Sequence, residues 1–67
     1  MTRKQRLAMA DAAASRAASL AREAESAARN NDLRYKAQPL AAAGVLWADV
    51  ARAHAAIAEA LPESEHV

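Results

Sequence analysis

Leu7, Ala10, Ala14, Ala17, Ala21, Ala24 and Ala28 follow one another at steps of three and four, and Ala43, Leu46, Val50, Ala53, Ile57 and Ala60 do the same. That spacing gathers a row on one face of a helix with about 3.6 residues per turn; in a strand it would scatter the row over both faces. Between the rows stand Asn30, Asn31 and Asp32, all good turn residues. The chain therefore reads as two helices joined by a turn.

Composition agrees. Alanine, the best helix former, supplies about a third of the 67 residues, with one glycine and two prolines. The strand formers Val45, Val50, Ile57, Trp47 and Tyr35 are too scattered for a sheet. Without cysteine, disulfides and thiolate metal sites are excluded. A formal net charge of +1 gives no chain-wide preference for nucleic acid or membrane. The basic start runs into an alanine stretch broken by Asp11 and Ser15, unlike a secretory signal. No charge-free span is long enough to cross a bilayer. A cytoplasmic protein without membrane contact is the expectation.

Thr2 followed by Gln5 has the spacing of a capping box, so the first helix is expected over about 2–30. Met9, Ala13, Leu20 and Ala27 widen its apolar row on one side. Asp11, Ser15, Ser19, Arg22, Ser26 and Arg29 take the opposite face, and Glu25 and Arg29 form a favourable i, i+4 pair. A turn over about 31–35 and a second helix over about 36–61 follow, the latter closed by Pro62. Leu40, Trp47, His54 and Leu61 flank its main row at steps of seven. Pro39 fits a first turn, where backbone N–H groups are free anyway, but bends a helix that begins as early as Leu33. Gly44 marks either a close approach of another helix or a tolerated surface glycine. The tail 62–67 is expected to be flexible.

A short turn makes the helices antiparallel, so the whole chain forms one all-α, two-helix hairpin domain. Arg3, Lys4 and Arg6 then sit at a helix start, where the dipole disfavours cations, beside the acidic tail carrying Glu63 and Glu65. Leu46, Val50 and Ile57 are expected to face the first helix. Large apolar side chains are few, and one helix–helix interface is a thin return for ordering some sixty residues. The apolar arc of the second helix is also wider than one neighbour needs. Association with itself into a four-helix bundle or larger homo-oligomer, dimer favoured, is the simplest remedy. Its interface residues would be Leu20, Leu46, Trp47, Val50, Ile57 and Leu61.

Catalytic chemistry has little to stand on, and no enzyme or cofactor is expected. His54, His66, Asp49, Glu59, Glu63, Glu65 and Tyr35 are the usable groups, and Asp49 and His54, five apart, share no helical face. No phosphate loop or hydrolase signature occurs. Glu63–His66 could hold a metal only weakly, and no metal site is expected. His54 beside the apolar row reads as a packing histidine. One segment is richer: Arg29, Arg34 and Lys36 bracket Tyr35 beside a helix start, the groups a phosphate or nucleotide site uses. The stretch "LWADVARAHAAIAEALPE" resembles one helix of a tetratricopeptide repeat, but no second copy follows at the required period. The leading expectation is a non-enzymatic self-association or protein-interaction module. The alternative is an oligomeric binder of a nucleotide or nucleic acid through residues 29–36 or through Arg3, Lys4 and Arg6.

Overall fold

The computed structural model describes residues 1–62 and is helical in two long segments, α1 (Arg3–Ala28) and α2 (Ala37–Ala60). The expected tail, with Glu63, Glu65 and His66, lies outside the described residues apart from Pro62. Thr2 caps α1: its hydroxyl accepts from the Gln5 N–H at 3.1 Å, and the Gln5 side chain accepts from the Thr2 N–H at 2.8 Å. Both bonds satisfy donors that a helix start would otherwise leave open. Glu25 and Arg29 pair at 3.4 Å on the surface.

α1 stops at Ala28, two residues short of the expected end. Asn30 competes with the helix by accepting from the Asp32 N–H at 2.9 Å, the local bond that makes asparagine a turn former. A 3-10 turn over Arg34–Lys36 leads straight into α2. Pro39 is the third residue of α2, inside the first turn, where its missing N–H costs little. At the far end Leu61 is extended, with φ −90° and ψ 151°, as the residue before a proline prefers.

On α1 the helices pack along one half of the expected row and the residues expected to widen it, leaving Leu7, Ala14, Ala21 and Ala28 exposed; on α2 they pack along a different row from the expected one. Ala13, Leu20 and Ala27 are buried on α1, and Gly44 and Ala58 on α2. Ala10, Ala17 and Ala24 on α1, and Leu40, Ala51, His54 and Leu61 across from them, are half-buried. Leu46, Val50 and Ile57 do not close the hairpin: Leu46 is 66% exposed, Ile57 41% and Val50 39%. The reason is size. Small residues let two helix backbones approach closely, whereas a seam of leucine and isoleucine would hold them apart. Gly44 marks that approach: a Cβ placed there would lie 3.6 Å from both the Ala17 carbonyl oxygen and the Leu20 Cβ.

Candidate interaction surface

The seam consumes the small-residue row of α2 and leaves its large-residue row open. Ala43, Val50 and Ile57 each stand one position before the seam residues Gly44, Ala51 and Ala58; Leu46, Ala53 and Ala60 lie further round. Leu40, Trp47, His54 and Leu61 form the edge between this outer face and the seam. Trp47 is 41% exposed. From Leu40 to Leu61 neither the outer face nor its edge carries Asp, Glu, Lys or Arg over about 33 Å of helix. The charges of α2 lie elsewhere, where Asp49 and Arg52 are paired and Glu59 points to solvent.

In an antiparallel pair of right-handed helices, residues just before the seam rows of both helices fall on the same side. Met9 and Ala12 of α1 therefore share the side of Val50 and Ile57, and Met9 is exposed too. The face is not continuous across α1, because Arg16 and Glu23 follow on that side. Of the six interface residues expected from the sequence, Leu46, Val50, Ile57 and Trp47 belong to this open surface. Leu20 is buried between α1 and α2, and Leu61 is half-buried at the hairpin's open end. Met9 and Ala53 also lie on this surface but were not among the expected interface residues, although Ala53 stood on the three-and-four row of the second helix.

The cations of the connection are each held locally. Arg29 meets Glu25, Arg34 donates to the Asn31 side-chain carbonyl at 2.7 Å, and the Lys36 ammonium lies 5.8 Å from the Tyr35 ring centre. All four candidate ligand residues, Arg29, Arg34, Tyr35 and Lys36, are exposed and lie in or beside the connection between the helices. The 3-10 turn runs into α2, so the N–H groups of Lys36 and Ala37 are already bonded to the carbonyls of Leu33 and Arg34. At the other end Arg6 turns inward, its Nη1 3.2 Å from His54 Nδ1. Arg3 and Lys4 also have interaction partners. No group of His, Asp and Glu among the described residues is arranged to hold a metal ion.

The 27-residue segment Arg34–Ala60 is long and apolar enough to cross a membrane by length and composition, and little of it is buried. No protein-family model matches the chain, and no curated protein or solved structure is significantly similar to it.

Proposed function

We propose that this chain is a non-enzymatic helical hairpin that acts by self-association through the outer face of α2. One observation carries the reading: a charge-free row of Leu46, Val50 and Ile57, edged by Trp47, stays exposed after the hairpin has closed. Apolar side chains in a contiguous row mark interaction sites, while singly scattered ones need no explanation. An anionic-ligand site on the connection has less behind it, since Arg29, Arg34 and Lys36 already have local partners. Sedimentation velocity across a concentration series tests the proposal. A dimer or larger species at micromolar concentration is expected; a folded monomer there overturns it.

A further inference from the structure

The self-association reading leaves open how two copies meet. We propose that the outer face of α2 takes the same face of a second copy in antiparallel register, with Leu46 against Ile57 of the second copy and Val50 against its Ala53. The inference rests on that reading and goes on to its geometry.

The row Ala43, Leu46, Val50, Ala53, Ile57, Ala60 is spaced three, four, three, four, three. Read backwards, it is the same series. Any heptad row has this property; the contents of this one single out a register. Antiparallel overlay about a point between Ala51 and Arg52 pairs Ala43 with Ala60, Leu46 with Ile57, and Val50 with Ala53. Leu and Ile fill two symmetry-related layers on either side of the centre. Alanines meet alanines at both ends of the row. A two-fold operation makes the interface self-complementary and closed, the commonest form of soluble oligomer. The edge row then runs Leu40 beside Leu61 of the second copy and Trp47 beside its His54, again without charge. Asp49, on the other flank, comes level with Ala56 of the second copy rather than with another carboxylate.

One observation favours a second copy over a lipid surface. An amphipathic helix lying on anionic lipid carries Lys and Arg on its polar face. The polar face of α2 has Arg52 against Asp49 and Glu59, one positive charge against two negative.

The chain has no cysteine, so introduced thiols report without background. The experiment uses Ala43→Cys and Ala60→Cys variants, alone and mixed, under mild oxidation with oxidised glutathione. Sedimentation of the wild type is run alongside, together with flotation on neutral and anionic phospholipid vesicles. The expected result is a disulfide dimer only in the mixture, joining position 43 to position 60, with wild type at twice the chain mass. Disulfides within Ala43→Cys alone mean parallel pairing; they overturn this inference and leave self-association standing. A dimeric wild type with no cross-link in any sample also overturns the register alone. A wild type that is monomeric throughout, or that dissociates onto vesicles, overturns the register and self-association together. Leu46→Glu should bring the mass down to one chain, and because unfolding of that variant would leave its mass uninformative, the alanine-to-cysteine pair carries the decision.

Discussion

Arg6 Nη1 stands 3.2 Å from His54 Nδ1, joining two residues 48 positions apart at the open end of the hairpin. A guanidinium can only donate, so Nδ1 is the acceptor and the ring hydrogen sits on Nε2. This contact gives Arg6 a structural use at a helix start where its charge is otherwise unwelcome. It also ties down the free ends of two helices whose closing turn lies far away.

His54→Ala should therefore lower stability by about 1 kcal/mol, the usual net worth of such a bond. Arg6→Met, which keeps the stem packing, should cost a similar amount. In a double-mutant cycle the two changes should be less than additive by about 0.5–1 kcal/mol. Thermal unfolding of the four proteins at one concentration measures this; strict additivity means that the pair contributes nothing.

Gly44→Ala should stabilise the protein. The glycine is buried, yet an added Cβ meets nothing closer than 3.6 Å, which is ordinary van der Waals contact. The gain is the helix propensity of alanine over glycine, about 1 kcal/mol. Gly44→Leu should do the reverse, because a branched side chain must displace Leu20 or part the helices. If alanine lowers the melting temperature, the backbones approach more closely here than the geometry indicates.

Trp47, the only tryptophan, reports on the outer face without labelling. In the hairpin it is 41% exposed, so burial by a partner should shift its emission to the blue as concentration rises. Trp47→Ala should cost about 3–5 kcal/mol in the assembled state, the range for deleting a large buried side chain. Melting should then depend more steeply on concentration. An emission maximum constant from nanomolar to high micromolar concentration would place the indole on a free surface.

Much of the hairpin was legible because its signals are local. The Thr2–Gln5 box, the Asn30 turn, the Glu25–Arg29 pair and the Pro62 stop each depend on residues within about four positions. The choice of seam was not local. Ala14, Ala21 and Ala28 form a row next to Ala13, Leu20 and Ala27, and both are apolar enough to bury. On α2, ranking by side-chain size favoured Leu46, Val50 and Ile57, whereas close backbone approach favoured Gly44, Ala51 and Ala58. Gly44 was the one residue that could have decided it, and its meaning depended on a neighbour that local spacing does not reveal. The reach of Arg6 to His54 was hidden for the same reason.

The connection between the helices gives the last test. Arg34 and Lys36 are exposed, bonded only to neighbours in sequence, and on no apolar row. Replacing each by alanine should shift stability by no more than about 0.5 kcal/mol, as at ordinary surface sites. If the segment is only a turn, wild type and the double variant should both ignore nucleotides and oligonucleotides at low salt. If it is a site, wild type should bind, and losing two charge-assisted contacts should weaken binding by about 3 kcal/mol or more. That binding should also fall steeply with added salt, which an apolar interface between helices would scarcely feel. Equal binding by both proteins would move the ligand to the opposite end of the rod, where Arg3, Lys4 and Arg6 lie. Titration by anisotropy at two salt concentrations separates the three outcomes, and the double variant stays folded in each because its substitutions leave the seam untouched.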